Sequence, residues 1–318
     1  MEAETFTSQG VVEDTRRGLL DDPKWLSSLY FYDERGSELF EAICKTPEYY
    51  PTRTEHAILE AHGDAMLEAA GPDLLMAEMG SGSSVKTRGL LGRLLAWQGP
   101  STYMPIDVSG DFLARVATAL ESDFDGLTVK PVAAEYKQGI QTVGDEPATR
   151  RLVLFLGSSI GNFEPDEQQK LLQAAHDALS PGDVFLLGTD LAKDPDVLHA
   201  AYNDAAGHTA AFNQNIIAHL NRELGGDVDP ESFDHHAFYN EKAGRIEMHL
   251  RSRKDQVLAF PRAGLKVPMA EGETIHTENS YKFTPERIDG LVGATGWTLE
   301  RSWTDDNEWF AVHLLRRT

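Results

Sequence analysis

Short runs of apolar residues alternate with stretches of helical periodicity through the middle of the chain. The apolar runs cover residues 74–79, 102–106, 127–133, 151–156 and 183–187, and helical patterns cover 111–121 and 166–179. Apolar runs of this length, separated by helices, are typical of buried parallel strands. The pattern therefore predicts an α/β protein with a doubly wound, mostly parallel sheet.

The alternation of strand and helix ends after about residue 190. Residues 195–235 are predicted to be mostly helical, with His235 and His236 in a loop. Further strands, several of them antiparallel, are predicted at 245–252, 263–267, 273–282 and 309–315. We expect a core domain from residues 61–194 and 286–318, and a smaller accessory domain from residues 195–285 with a contribution from residues 1–60.

A glycine turn, Gly80-Ser81-Gly82, follows the first predicted strand. Glycine lets a ligand approach the backbone where a Cβ atom would collide. Asp107 ends the second strand, where a carboxylate can accept both hydroxyl hydrogen bonds of a ribose. A dinucleotide dehydrogenase would have a third glycine at Val85, so the turn favours S-adenosylmethionine over a nicotinamide cofactor. The alternatives are an ordinary tight turn and, for Asp107, a helix N-cap.

Other polar residues follow the carboxyl ends of predicted strands, where α/β proteins bind ligands. Lys86 could meet a cofactor carboxylate, and Glu135 and Tyr136 suit an adenine amino group and ring. Asn162, after the fourth strand, offers both a donor and an acceptor. Lys86 could equally be a solvated helix residue, Asn162 could close its own turn, and the positions of Glu135 and Tyr136 could be unrelated to a ligand.

The segment 273–283 is unusually polar for a strand. With a period of two, His276, Glu278, Ser280 and Lys282 would share one face. This face is either a solvent-facing edge or a surface that presents a carboxylate and a hydroxyl to a polar ligand.

Composition narrows the functional classes. A formal net charge of −22 argues against nucleic-acid binding, and no apolar run approaches the ~20 residues of a membrane span. The acidic N-terminus does not look like a signal peptide, and Cys44 is the single cysteine, so no internal disulfide is expected. The 11 histidines form no H-x-x-x-H motif, and no metal site is predicted. We expect a cytoplasmic protein and, since no heptad pattern is present, a monomer.

Several motifs resemble the histidine-specific N-alpha-methyltransferases of ergothioneine biosynthesis, from about Trp25 to the C-terminus. They comprise residues 31–40 (FYDERGSELF), 47–55 (PEYYPTRTE), 80–88 (GSGSSVKTR), 155–162 (FLGSSIGN), 187–191 (LGTDL), 201–207 (AYNDAAG) and 245–250 (RIEMHL). Agreement by chance over all of them is improbable.

The resemblance implies a class I methyltransferase-like, Rossmann-like core and an accessory domain that binds substrate. It implies transfer of three methyl groups from S-adenosylmethionine to the α-amino group of L-histidine, which gives hercynine. The implied cofactor contacts are Gly80, Lys86, Asp107, Glu135 and Tyr136. The implied substrate contacts are Asn162 and Tyr202 for the amino-acid backbone, Tyr49, Glu278 and Ser280 for the imidazole, Tyr32 near the amine, and Met248 in the side-chain pocket. No catalytic residue is implied beyond those that position the substrate.

Two positions bear on how closely the chain follows the family. The family commonly has Asp-Phe where this chain has Glu135-Tyr136, so the acid-aromatic order is kept but the hydrogen bonding to adenine differs. Relatives that act on other aromatic amino acids lack the acid at Glu278, so its presence favours histidine. The alternatives are an N-methyltransferase of another aromatic amino acid, such as tryptophan, and a cofactor-binding module without catalysis.

Overall fold

The structure, a computed structural model, describes residues 8–318 and divides into two compact units. The first unit comprises the described residues through Tyr50 together with Lys193–Tyr281. The second unit comprises Pro51–Ala192 and Lys282–Thr318. The expected boundary after residue 60 falls inside a helix, Pro51–Ala70, that belongs wholly to the second unit. This helix cannot be divided there, because its apolar side chains on both sides of residue 60 enter one core.

The α-helices of the described residues are numbered in chain order. They are α1 Ser8–Leu20, α2 Glu34–Cys44, α3 Pro51–Ala70, α4 Arg88–Gln98, α5 Gly110–Asp123, α6 Tyr136–Asp145, α7 Pro165–Ala178, α8 Pro195–Ala201, α9 His208–Leu224 and α10 Pro285–Ala294. Short 3-10 turns cover Ser28–Phe31, Ser159–Asn162, Pro230–Ser232 and Pro261–Ala263.

The strands are numbered in the same way. They are β1 Lys24–Trp25, β2 Leu74–Met79, β3 Ser101–Asp107, β4 Leu127–Val129, β5 Val132–Ala133, β6 Arg150–Phe155, β7 Val184–Asp190, β8 Phe233–Asn240, β9 Arg245–Ser252, β10 Gln256–Phe260, β11 Leu265–Met269, β12 Thr274–Tyr281, β13 Trp297–Thr304 and β14 Phe310–Arg317.

The second unit is built on the predicted doubly wound sheet. Its strand order is β13-β14-β7-β6-β2-β3-β4, with β5 paired to β3. The strands from β2 to β7 pair in parallel, and β14 joins β7 and β13 antiparallel. From β2 the chain builds outward through β3 and then returns to the other side at β6. The carboxyl ends of β2 and β6 therefore flank the topological switch point, where such sheets bind ligands.

The burial of their residues explains why the apolar runs of the sequence form the central strands of this sheet. Every residue of β2 and β7 is buried, as expected of strands covered by helices on both faces. Ile58, Leu59, Met66 and Leu67 of α3 pack into the same core as β2, β6 and β14. The predicted extents of these core strands agree with the structure to within three residues at each end, except that residues 127–133 form two short strands, β4 and β5.

The first unit contains a mixed sheet in the order β1-β12-β9-β8 and a separate β10-β11 hairpin. The expectation of a loop at His235 and His236 is wrong, since both lie on β8, which pairs antiparallel with β9. The pattern of apolar residues did not indicate β8, because only Phe233 and Ala237 of its eight residues are buried. β10 and β13 were likewise not predicted.

A β-bulge interrupts β12 between His276 and Glu278. His276 pairs with His249, whereas Glu278 pairs with Met248, the next residue along β9. The predicted common face of His276 and Glu278 is therefore wrong, because the bulge reverses the alternation of side chains at this point. Lys282, predicted to share that face, follows the strand and belongs to the second unit, where its Nζ atom donates to the buried Asp190 at 2.7 Å.

Among the helices of residues 8–318, not one combines the length and the apolar character that crossing a membrane requires.

Candidate active site

The glycine turn after β2 lies at the carboxyl edge of the sheet. Gly80 has a φ of +66°, a conformation that side chains disfavour. Its N–H and that of Ser81 donate to the carbonyl of Ile106 at 2.9 and 3.1 Å, which ties the turn to β3. A Cβ atom on Gly80 would lie 3.0 Å from the Tyr136 hydroxyl. Glycine is therefore required here by backbone conformation and by the proximity of the tyrosine.

Asp107 faces the same turn from the end of β3. Its carboxylate accepts the N–H of Gly82 at 3.1 Å and the N–H of Ser109 at 3.2 Å, one on each oxygen. The N-cap of α5 is Ser109, so the alternative of Asp107 as the helix cap is wrong. Each carboxylate oxygen has a second lone pair, so Asp107 can still accept hydroxyl hydrogen bonds.

Lys86 is paired with an acid that the sequence analysis did not identify. Its Nζ atom lies 2.8 Å from Glu55 Oε2, and the Glu55 side chain is fully buried. Glu55 Oε1 accepts the N–H of Gly157 at 2.6 Å. This one carboxylate therefore connects α3, the loop after β2 and the loop after β6. The available signal was an acid three and four residues before the apolar Ile58 and Leu59, a spacing that places all three on one face of a helix.

Glu135 and Tyr136 lie at the start of α6, with Glu135 at the N-cap position. The Tyr136 ring contacts those of Phe155 and Phe163, with centroids 5.2 and 6.0 Å apart. Burial, and then the nearby Asp107 carboxylate, raise the pKa of Tyr136 to about 12. Tyr136 is therefore a neutral hydroxyl beside Gly80 and Asp107 at physiological pH.

A second acid missed by the sequence analysis is buried beneath the turn. Glu78 of β2 accepts hydrogen bonds from the Tyr103 hydroxyl at 2.5 Å and from Thr87 Oγ1 at 2.7 Å. Burial raises the pKa of Glu78 to about 7 in spite of these bonds. The Ser84 and Tyr103 hydroxyls lie 3.0 Å apart, which extends the network into the loop before α4.

Asn162 is the last residue of the 3-10 turn that follows β6, and it is half-buried. Gly80, Lys86, Asp107, Glu135, Tyr136 and Asn162 thus all belong to the second unit and follow its parallel strands. Tyr202, the predicted partner of Asn162 in holding the amino-acid backbone, belongs to the first unit. Their joint role stays a prediction.

The remaining predicted substrate residues all belong to the first unit. The Tyr202 hydroxyl donates to Ser280 Oγ at 2.7 Å, and both side chains are buried. The Tyr49 ring lies 6.2 Å from that of Tyr202 in an edge-on arrangement. On the neighbouring strand, Met248 is 1% exposed and pairs with Glu278.

Tyr49 and Tyr32 complete this group. Burial raises the pKa of Tyr49 well above its ordinary value, and Tyr202, Cys44, Tyr32 and Glu278 are near enough to raise it further. The Tyr32 ring is half exposed and packs edge-on against Phe40 and Phe212 at 6.0 and 5.7 Å. The structure therefore brings the phenol groups and Glu278 into one neighbourhood around Tyr49.

Comparison with known proteins identifies the family to which this chain belongs. Residues 11–317 match the family model described as histidine-specific methyltransferase, SAM-dependent. A histidine N-alpha-methyltransferase of Mycolicibacterium smegmatis is 40% identical over 310 residues, which cover 98% of this chain and 96% of that protein. The chain belongs to the SAM-dependent, histidine-specific methyltransferase family.

More distant proteins also match. An L-tryptophan methyltransferase of Psilocybe serbica is 27% identical over 327 residues, with 94% of this chain and 90% of that protein covered. The structure of the CcbJ methyltransferase from Streptomyces caelestis covers 82% of this chain and 96% of its own, at 12% identity and a TM-score of 0.45. The class I methyltransferase fold assigned here rests on the sheet order of the second unit.

The residues present fit the cofactor of this methyltransferase family, S-adenosylmethionine. Asp107 would offer a carboxylate to the ribose hydroxyls, and Lys86, whose Nζ atom also contacts Glu55, would offer a cation to the amino-acid carboxylate. A Cβ atom on Gly82 would meet no atom within 4 Å, so the turn leaves open space there. These donors and acceptors match the polar groups of the cofactor.

Proposed function

We propose that this protein transfers methyl groups from S-adenosylmethionine to the α-amino nitrogen of L-histidine, three times in succession, to give hercynine for ergothioneine biosynthesis. The observation that carries the proposal is the grouping of Glu278, Ser280, Tyr202 and Tyr49 in a family of histidine-specific methyltransferases. A polar set of this kind in one half-buried neighbourhood suits an imidazole better than a wholly apolar ring.

The recognition of the ring follows from donor and acceptor directions. Glu278 is half-buried and acts as a pure acceptor when ionised, so it selects a ring that carries an N–H. Tyr202 donates its proton to Ser280 Oγ, which directs the proton of Ser280 toward other acceptors, such as the second ring nitrogen. Together, an acceptor and a donor specify one tautomer of a neutral imidazole.

The α-amino group must be neutral, because only its lone pair can attack carbon. S-adenosylmethionine supplies an electrophilic methyl group on a positively charged sulfur. Tyr49 stays neutral at physiological pH, since burial raises its pKa well above the ordinary value. Tyrosines of the first unit such as Tyr32 and Tyr202 can orient the amine through hydrogen bonds and accommodate the methylated cation through their ring faces. Positioning of this kind is worth up to ~7–11 kcal/mol of the barrier in favourable cases.

The test is a product assay with the full-length protein. S-adenosylmethionine is incubated with histidine or with tryptophan, and the products are followed by mass spectrometry. We expect histidine to gain three methyl groups and tryptophan to gain none. Methylated tryptophan alone would assign the protein to the other substrate, and the absence of any product would indicate a binding module.

The Glu278→Gln variant then tests the pocket. Loss of a hydrogen bond to a charged group costs about 1.5–3 kcal/mol, so kcat/KM for histidine is expected to fall about 10- to 150-fold. Glu271→Gln, an exposed acid just before β12, is the matched control and is expected to leave the value unchanged. Equal values for parent and Glu278→Gln would refute the assignment of the imidazole site.

We also propose that the protein acts as a monomer in the cytoplasm, where both reactants are metabolites. Light scattering coupled to size-exclusion chromatography tests the first part of this proposal, with 35.2 kDa as the mass expected of one chain. Fractionation of the source cells tests the second part.

A further inference from the structure

The face of the mixed sheet opposite Met248 carries a group of metal-ligating side chains that the proposed function does not use. Glu247 and His249 alternate with Met248 along β9 and therefore point away from it. The bulge in β12 places His276 opposite His249 on this same face, although Glu278 two residues later pairs with Met248. The sequence pattern could not reveal this group, because it predicted His276 on the face of Glu278.

The three side chains are close enough to share one ion. One ligand atom from each of Glu247, His249 and His276 lies within 4.8 Å of the other two. Glu247 Oε2 and His249 Nε2 are 3.2 Å apart. A tetrahedral ion with bonds of about 2.0–2.1 Å keeps neighbouring ligand atoms about 3.3–3.4 Å apart. The first pair thus already has the spacing of a metal site, whereas the His276 ring, which is stacked on that of His249, would have to rotate to direct a nitrogen at the same ion.

Neighbouring groups orient these ligands as outer-shell partners do in metal sites. Glu247 Oε1 accepts from Asn240 Nδ2 and Arg245 Nε, both at 2.9 Å, which directs Oε2 toward His249. His276 Nε2 donates to the backbone carbonyl of Glu278 at 3.0 Å, which fixes the tautomer with its lone pair on Nδ1. A backbone carbonyl on the second ring nitrogen is the usual partner of a metal-bound histidine.

His249, the middle residue of this group, has one ring nitrogen without a hydrogen-bond partner in the part of the chain that the structure describes. His249 lies between Phe238 and His276, stacked with centroids 5.5 and 4.7 Å away. Its Nδ1 atom is buried and has no hydrogen-bond partner among residues 8–318. This atom is not the one that would bind the ion, because His249 Nε2 is the ring nitrogen that faces Glu247 Oε2. Both histidines are only half-buried, so an ion can reach them from solvent.

We propose that Glu247, His249 and His276 bind a divalent ion of the zinc type, in a site on the first unit separate from the candidate substrate residues. Two imidazoles and one carboxylate suit zinc and its neighbours in the first transition row better than magnesium or calcium, which prefer oxygen ligands. Three protein ligands leave a fourth position for water. The proposal does not depend on the methyltransferase activity.

The test measures zinc binding by isothermal titration calorimetry on the full-length protein, with affinity tags removed and after treatment with a chelator. The parent is expected to bind one Zn²⁺ per chain with a dissociation constant in the micromolar range or below. His249→Gln and His276→Gln are each expected to weaken binding at least tenfold. His56→Gln, an exposed histidine on α3, is the matched control and should bind as the parent does.

Two further measurements do not depend on the folding of the variants. Co²⁺ added to the parent should give the intense visible absorption of a tetrahedral site. A crystal of the parent soaked in Zn²⁺ should show an anomalous peak between Glu247, His249 and His276. A parent that binds no zinc in the micromolar range, variants that bind like the parent, or an anomalous peak elsewhere would each overturn the proposal.

Discussion

Replacing Glu78 with glutamine removes a buried charge while it keeps the shape of the side chain. Glu78 is 5% exposed at the end of β2 and accepts hydrogen bonds from Tyr103 and Thr87. Burial outweighs these bonds and raises the pKa of the carboxyl group from 4.5 to about 7. The folded protein therefore holds a proton on Glu78 at pH values where the unfolded chain has released it.

The sign of the pH dependence follows from this difference. Between pH 4.5 and 7 the folded state binds more protons than the unfolded state, so stability falls as the pH rises through this window. At about 1.4 kcal/mol for each pKa unit, the loss reaches about 3 kcal/mol above pH 7. The glutamine side chain of Glu78→Gln does not titrate, so the variant does not lose this stability as the pH rises. Its stability relative to the parent is thus expected to rise by about 3 kcal/mol, mostly between pH 5 and 8.

Thermal unfolding followed by circular dichroism from pH 5 to 8.5, without cofactor, measures the effect. At about 2.1 cal/mol/K per residue, the unfolding entropy of 318 residues is about 0.7 kcal/mol/K, so the difference in Tm should change by about 4–5 °C. An imperfect fit of the amide adds an offset that does not vary with pH, so the slope is diagnostic. Glu68→Gln, an exposed acid on α3, is the control. Parallel curves for parent and Glu78→Gln would refute the reasoning.

Three further substitutions test the second unit. Gly80→Ala places a Cβ atom on a residue in the left-handed conformation and 3.0 Å from the Tyr136 hydroxyl. The affinity for the cofactor, measured by calorimetry, should therefore fall and the free energy of unfolding should decrease by about 1–2 kcal/mol, whereas unchanged binding would contradict this. Lys86→Met should raise KM for S-adenosylmethionine at least tenfold with a smaller effect on KM for histidine, and an equal rise in both would argue against a cofactor contact. Arg151→Met leaves Asp183 buried without its 3.1 Å partner, so the free energy of unfolding in urea should fall by about 3–5 kcal/mol, whereas a loss below 1 kcal/mol would disprove this role.

The pattern of apolar residues along the sequence determined most of the strands of the second unit. The apolar runs identified β2, β3, β6 and β7 because strands buried on both faces need nearly continuous apolar residues. Since parallel strands bring their carboxyl ends to one edge, strand order along the chain was enough to group Gly80, Asp107 and Tyr136. The structure confirms this grouping through the contacts of Gly80 with Tyr136 and of Gly82 with Asp107. The motifs identified the family, which the comparisons confirm.

Tertiary structure alone decided the features that depend on pairing between distant segments. Glu55 joins Lys86 to Gly157 across 102 residues of sequence, and no local pattern shows which buried acid meets which cation. The register of β12 against β9 places the bulge, and with it the face on which His276 lies. Alternation within one strand predicts faces only while pairing is regular. One extra residue in β12 was therefore enough to move His276 from the candidate substrate residues to Glu247 and His249.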